Sequence, residues 1–137
     1  MLDRIDIHLD VPSVETQKLV GKNKNKSDSS VVIQKRVQKA RNIQTRRFKS
    51  TNQSTKKAKI QSNAEMSTRN VKKHCPLSTK CRTMMMSAAA SMNISARSYF
   101  KVIKIARTIA DLAGEKNILI NHLAEALQYR PKENNSL

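Results

Sequence analysis

The side chains best suited to metal or redox chemistry are two cysteines and a histidine in the middle of the chain. Cys75 and Cys81 are the only cysteines, separated by five residues, and His74 adjoins the first. A zinc site needs four ligands, which usually come in two close pairs. The remaining histidines, His8 and His122, lie far away in the sequence. We therefore predict two reduced thiols and no metal site.

Nucleotide chemistry is limited by the glycines. A phosphate-binding loop follows the pattern G-x-x-x-x-G-K-[ST], in which backbone amides surround the phosphates. Gly21 and Gly114 are the only glycines and cannot form that pattern in any register. No acidic pair follows an apolar strand, as a magnesium-binding Walker B motif would require. We expect no ATP hydrolysis by this chain alone, and no cofactor bound by it alone.

The basic charge is concentrated in one part of the chain. The net charge is +17, and residues 18–61 contain fourteen Lys or Arg against Asp28 alone, whereas residues 1–17 are net acidic. A basic surface favours contacts to nucleic-acid phosphates, which carry no sequence information. A solvated charge run that keeps the chain soluble is the alternative. Both interpretations remain open at this point.

The 137 residues are enough for one domain. No apolar run approaches the ~20 residues that span a bilayer. The mixed, acidic N-terminus is unlike a signal peptide. We therefore expect a cytoplasmic protein without a membrane partner.

The strongest helical pattern lies in residues 93–130. Its apolar residues recur with the spacing of one buried helical face: Tyr99, Val102, Ile103, Ala106, Ile109, Ala110 and Ala113. Asn93 or Ser95 can cap the start with a side-chain oxygen. Gly114 can end the helix, because glycine tolerates the left-handed conformation of a C-cap.

A second, shorter helix is predicted directly after this one. We expect Asn121 to cap it and Leu123, Ala124 and Leu127 to face inward. Two helices with a tight connection form a hairpin that must bury its apolar face against other elements.

Upstream, a basic amphipathic helix is predicted from Ser29 or Ser30 to about Lys49. Its expected inward stripe is Val32, Ile33, Val37, Ala40, Ile43 and Phe48, and most of its cations fall on the other faces: Lys35, Arg36, Lys39, Arg41, Arg46 and Arg47. Residues 18–30 and 50–62 are predicted to be mobile.

Two further helices are expected before residue 93. Ser67 can cap a short helix with Val71 inward, and a helix from about Ser78 to Ser91 follows Pro76.

One strand is predicted at the N-terminus. Apolar and polar residues alternate over residues 2–11, which is the period of a half-buried strand, and Pro12 ends it. No convincing second strand follows, so this strand requires partners from elsewhere. We therefore expect the chain to be a piece of something larger.

Several stretches, in chain order, read MLDRIDIHLDVP, KRVQKARNIQTRRFK, SNAEMS, ISARSY followed by KVIKIARTIADLAG, and HLAEALQYR. Together they resemble the C-terminal part of the magnesium-chelatase-like AAA+ ATPases, in the YifB/ComM branch. The resemblance implies a mainly α fold: a small helical lid preceded by one β-strand left over from the ATPase core. It places the strand segment of the core in residues 1–17, a basic linker in 18–30 and the lid in 31–137. A C-terminal fragment, a split-gene product or a truncated reading frame would each fit.

The resemblance gives Arg4 a candidate catalytic role. Arg4 in LDRID matches an arginine finger, which in this family reaches the nucleotide of the neighbouring subunit. A guanidinium there neutralises charge on the transferring phosphoryl group. The alternative is a surface arginine paired with Asp3 or Asp6.

The resemblance also gives Arg97 a candidate nucleotide-binding role. Arg97 in ISARSY matches the sensor-2 arginine, which contacts nucleotide phosphate from the lid. A cation in the first turn is unfavourable for the helix dipole, and a bound phosphate would offset this. The alternative is an ordinary exposed arginine.

The full-length family is implied to be an ATP-driven hexameric motor linked to DNA processing in competence. By this resemblance, ATP and Mg²⁺ would be bound only in assembly with an AAA+ core or like subunits that carry the phosphate loop. DNA would be contacted by the basic middle. The alternative function is a small, basic, helical nucleic-acid-binding protein, whose binding would weaken steeply with salt.

Overall fold

The computed structural model describes residues 5–13, 28–53 and 59–130, and this part of the chain is helical. Its elements are α1 (Ser30–Gln53), a short 3₁₀ helix (Asn63–Glu65), α2 (Thr68–His74), α3 (Thr79–Ser91), α4 (Ala96–Ala113) and α5 (Ile120–Gln128). The mainly α fold is therefore confirmed. No helix in the described ranges is both long and apolar enough to cross a bilayer.

Helix α4 is the central element. It packs against α1, α2, the 3₁₀ helix and α5, and α3 packs against α5. Its predicted inward face is buried at Val102, Ala106 and Ala110. The core around it consists mainly of aliphatic and sulfur-containing side chains: Phe48, Met66, Val71, Cys75, Cys81, Met85, Ile103, Ile118, Leu123 and Ala126. Burial of this face holds α4 in the bundle, because removing apolar area from water is the dominant favourable term in folding.

Three serines start helices as predicted. The hydroxyl oxygens of Ser67, Ser78 and Ser95 each accept a hydrogen bond, 3.2–3.3 Å long, from the amide three residues later. Ser95 rather than Asn93 caps α4, and Asn93 instead adopts a positive φ of 47° in the turn before it. Gly114 ends α4 with a φ of 78°, as expected for a left-handed C-cap.

The start of α5 differs from the prediction. Its N-cap is Leu119, not Asn121. The Leu119 amide donates to Nδ1 of His122 at 3.1 Å, so a side chain of the first turn reaches back to the N-cap backbone, as in one half of a capping box. This early start turns His122, Leu123 and Ala126 inward, whereas Ala124 and Leu127 are only partly buried.

The N-terminal half of α1 is exposed, which contradicts part of the predicted inward stripe. Val32, Ile33 and Val37 are 43–50% exposed, and burial begins only at Ala40. The buried positions of α1 are Ala40, Gln44, Phe48 and Thr51. The contacts of α1 are chiefly with α4, and the first turns of α1 lie beyond that contact.

The C-terminal end of α1 lies four residues beyond the predicted Lys49, at Gln53. The Asn52 side chain donates to the Ile60 carbonyl oxygen and accepts from the Ile60 amide, both at 2.8 Å. Residues 50–53 are therefore ordered helix rather than part of a mobile loop. Of the two segments predicted to be mobile, residues 18–27 and 54–58 lie outside the described residues.

The predicted N-terminal strand is absent from residues 5–13, the part of it that the structure describes. The apolar residues Ile5, Ile7, Leu9 and Val11 are more than half exposed. A strand needs a neighbouring strand for its backbone hydrogen bonds, and the described ranges contain none. The His8 amide instead donates to the Tyr129 carbonyl oxygen, at 2.8 Å, beyond the end of α5.

Candidate phosphate-binding site

Three cations lie along one face of α4. Arg97, Lys101 and Lys104 follow the i, i+4, i+7 spacing that aligns side chains on a helix. They line a polar pocket of about 520 Å³ together with Ser67 and Thr68, at the start of α2. Cations and hydroxyl donors converging on one concave surface form a suitable environment for a phosphate group.

Arg97 is exposed in the first turn of α4. Among the described residues, none accepts a hydrogen bond from its guanidinium group or pairs with it. Its charge lies near the positive end of the helix dipole, where an anion is preferred. The Arg97 guanidinium therefore offers five donors in a local field that favours a bound anion.

The two lysines have defined partners at the pocket wall. Lys101 Nζ lies 2.6 Å from Asp6 Oδ1, and the Lys101 side chain is 18% exposed against 53% for Asp6. Lys104 Nζ donates to the Ala64 carbonyl oxygen at 2.9 Å. Burial lowers the pKa of Lys104, and the nearby Asp6 carboxylate opposes this shift. Both ammonium groups are thus positioned before any ligand arrives.

An apolar pocket of about 380 Å³ adjoins the polar one and shares Asp6, Ala64, Lys101 and Lys104 with it. Its apolar lining comes from the N-terminal segment and α4: Ile7, Leu9, Ile105, Ile109 and Leu112. Asp6 therefore lies at the boundary between the two pockets.

A buried polar network lies beside the site and fixes α4. The Asp111 carboxylate is fully buried and accepts hydrogen bonds from both terminal nitrogens of Arg47, the closer contact being with Nη2 and the other 2.7 Å long. It also accepts from Arg107 Nε at 3.0 Å and from Asn63 Nδ2 at 2.8 Å. One carboxylate thus joins α1, the 3₁₀ helix and α4.

Arg107 and Asn63 connect this network to further backbone and side-chain groups. Arg107 donates to the carbonyl oxygens of Lys116, at 2.8 Å, and Glu115, at 2.6 Å. These bonds fix the connection between α4 and α5. The Asn63 side-chain oxygen accepts from Arg47 Nη1 at 2.9 Å, and the Asn63 backbone amide donates to Gln44 Oε1 at 3.2 Å. Each of the four residues Arg47, Asn63, Arg107 and Asp111 therefore has two or more hydrogen-bond partners.

The sequence did not predict this network. It predicted that Arg47 faces outward with most other cations of α1, and this prediction is wrong. The Arg47 side chain is only 14% exposed and points to Asp111. One signal was available: Arg107 and Asp111 form an i, i+4 pair next to the apolar positions Ala106 and Ala110, so both must be partly buried with that face.

The cysteines and His74 have separate environments. Cys75 and Cys81 are buried free thiols, and burial raises the pKa of Cys75 to about 11. His74 Nε2 lies 2.9 Å from Thr51 Oγ1, and its ring meets Phe48 edge to face. Desolvation lowers the pKa of His74. Within the described ranges, no group of three or more His, Cys, Asp or Glu side chains could hold a metal ion.

The structure thus places Arg97 in a pocket with two further cations that the sequence analysis did not assign to the site. Arg4 lies outside the described residues, so its role as an arginine finger remains a prediction.

Known proteins resemble this chain over most of its length. The family model "Magnesium chelatase, subunit ChlI C-terminal" matches residues 27–130. The competence protein ComM of Haemophilus influenzae is 33% identical over 129 residues. The YifB proteins of Salmonella typhimurium and Escherichia coli are 30% and 29% identical over the same length. Each alignment covers 94% of this chain but 23% of the relative. Because the family model covers most of the chain and all five helices, the chain belongs to the magnesium chelatase ChlI C-terminal family.

Proposed function

We propose that this chain acts as the helical lid of a ComM/YifB-like AAA+ ATPase and contacts nucleotide phosphate through Arg97. The observation that carries the proposal is the polar pocket on α4, where Arg97 has no protein partner among the described residues and Lys101 and Lys104 lie on the same face. The relatives are about four times longer than this chain, so the activity of the whole proteins is part of the proposal.

The side chains of the pocket fit phosphate oxygens, since cations and hydroxyls donate to them. We propose that ATP and Mg²⁺ are bound only when the lid assembles with a phosphate-loop-containing chain. The metal would there neutralise charge on the transferred phosphoryl group. Arg97 would hold the phosphate from the lid side and couple nucleotide binding to the position of α4.

Arg4 is proposed to act in trans, as the arginine finger of a neighbouring subunit in a hexamer. Its support is the LDRID stretch. A permanently charged, planar guanidinium is suited to stabilising charge that develops on a phosphoryl group. By this proposal the isolated chain turns over no ATP.

The test is ATP turnover by this chain, by a ComM-like core that ends before the LDRID stretch, and by their mixture. We expect activity only in the mixture. Arg97→Ala should lower it by ~10-fold or more, as loss of one phosphate-directed donor does in other enzymes. Arg69→Ala is the matched control, because Arg69 is an exposed arginine on α2 that does not line the pocket. Equal rates for these two variants, or turnover by the isolated chain, would overturn the lid proposal. Arg4→Ala in the same mixture tests the finger separately.

A second candidate function is binding to nucleic acid, and the exposed cations of α1 favour it: Lys35, Arg36, Lys39, Arg41, Arg46 and Lys49. The ComM relative is named a competence protein. We propose that the basic middle of this chain contacts DNA, in a cytoplasmic setting, either within a DNA-processing motor or as an independent basic protein.

Fluorescence anisotropy with a labelled DNA duplex at several salt concentrations tests this second function. Phosphate contacts predict that log affinity falls linearly with log salt, with a slope of about −0.9 per contact. Replacing Lys35, Lys39 and Arg46 by Ala should reduce the slope by up to about 3. An unchanged slope would contradict a DNA contact through α1.

A further inference from the structure

We propose that Asp6 is an internal competitor for the phosphate pocket: its carboxylate neutralises Lys101 in the unliganded chain, and phosphate binding displaces it and releases the N-terminal segment, residues 5–9, from the lid. The proposal rests on the phosphate pocket proposed above and adds its regulation.

The first support is the position of Asp6. It contributes to the walls of both pockets and pairs at 2.6 Å with Lys101, the middle cation of the three. A phosphate bound to Arg97 and Lys101 would bring its negative charge next to the Asp6 carboxylate. Two neighbouring negative charges repel each other, so the carboxylate and the phosphate compete for Lys101.

The second support is the weak attachment of the segment. Asp6 is half exposed, and Ile7 and Leu9 are 51% and 69% exposed although they line the apolar pocket. Among the described residues, one backbone hydrogen bond, from the His8 amide to the Tyr129 carbonyl oxygen, joins the segment to the end of the bundle. The Asp6 side of this ion pair is half exposed, and ion pairs open to water contribute little, so a multivalent anion held by several cations can displace the carboxylate.

The third support is a polar atom that the docked segment leaves unsatisfied. His8 Nε2 is buried and has no hydrogen-bond partner among the described residues. Burying an unpaired polar atom is unfavourable. Release of the segment would expose this nitrogen to water and recover that loss, which lowers the free-energy difference between the docked and released states.

The consequence concerns the arginine that precedes the segment. Arg4 stands two residues before Asp6 in the chain. Phosphate occupancy at the lid would decide whether residues 5–9, which follow the candidate finger in the chain, are docked on the lid or released from it.

The test uses the full 137-residue chain, inorganic triphosphate as the probe and constant ionic strength. Calorimetry gives the affinity, and hydrogen exchange measured by NMR reports the His8 amide. We expect triphosphate to bind the wild-type chain and to accelerate exchange at His8. Asp6→Asn should bind two- to five-fold more tightly, the range of a partly exposed ion pair. Its His8 amide should already exchange fast without ligand.

Asp10→Asn is the matched control, because it removes the same charge from an exposed residue that directly follows the segment and lines neither pocket. It should bind and exchange like the wild-type chain. Equal affinities for the two variants, or His8 exchange unchanged at saturating triphosphate, would overturn the competition while leaving the pocket intact. Binding that Arg97→Ala does not weaken, or no binding by any variant, would instead remove the phosphate pocket itself and this proposal with it.

Discussion

Replacing Asp111 by Asn is expected to destabilise the bundle by about 3–5 kcal/mol, the usual cost of removing one partner from a buried ion pair. The Asp111 carboxylate is fully buried and accepts from Arg47, Arg107 and Asn63. An amide keeps one acceptor oxygen but turns an NH₂ group towards donors. Two guanidinium groups would then remain in the interior without a compensating charge. Small domains have about 5–15 kcal/mol of stability in total, so the loss would be a large part of it.

Urea unfolding followed by circular dichroism at 222 nm measures this change as a shift of the midpoint. Asp28→Asn is the matched control, because Asp28 forms an exposed pair with Arg36 at 3.5 Å, with both side chains more than half exposed. That substitution should cost no more than about 1 kcal/mol. Similar losses for the two variants would refute the argument that the buried carboxylate stabilises the bundle.

A double substitution distinguishes lost attraction from uncompensated charge. Arg47→Met in the Asp111→Asn background removes one of the two guanidinium groups and keeps an apolar side chain of similar length. We expect the double variant to be less destabilised than the sum of the single ones. Full additivity would show that the two residues act independently, against the contacts seen in the structure.

Three further results are expected. Gly114→Ala should cost about 1 kcal/mol by thermal unfolding, because Gly114 has a φ of 78° and an added Cβ would meet only Lys39 Nζ, at 3.7 Å; no loss would contradict the strain. Burial lowers the pKa of folded His74 below its ordinary 6.5, so the unfolded chain binds more protons, and the melting temperature should fall as pH drops below about 6.5. The His74→Gln variant should show a shallower fall, and an equal slope would exclude this histidine as the cause. With its pKa raised from 9.0 to about 11, Cys75 should react about 100-fold more slowly with iodoacetamide at pH 8 than in the urea-unfolded chain; mass spectrometry of the peptides separates it from Cys81, and equal rates would contradict its burial.

For α1, the sequence predicted the helix correctly but not which part of its apolar face is buried. Its helical character followed from the spacing of its apolar residues, but the part of its face that is buried did not. Val32 and Phe48 both belong to the apolar stripe, yet Phe48 is fully buried and Val32 is half exposed. An apolar repeat with helical spacing predicts a helix. Which of its apolar residues are buried depends on how much of the helix its neighbour covers.

The N-terminal segment and α5 illustrate two other limits. Alternating residues predicted a strand, but a strand forms only where another backbone can pair with it, and residues 5–13 have no such neighbour in the described chain. For α5, Asn121 was chosen as the cap by residue type. The helix instead starts at Ile120, with Asn121 inside its first turn, and the Leu119 amide donates back to the ring nitrogen of His122.

The sequence by itself determined the features that depend on a few neighbouring residues. The serine caps, the glycine C-cap, the mainly α fold and the family resemblance all follow from such local patterns. Only the tertiary structure decided that Arg47 turns inward, that Asp111 joins two arginines, and that Lys101 and Lys104 share a pocket with Arg97. Arg47 and Asn63 lie 64 and 48 positions before Asp111. A hydrogen bond between such distant residues is set by how the helices pack, which no local spacing in the sequence specifies.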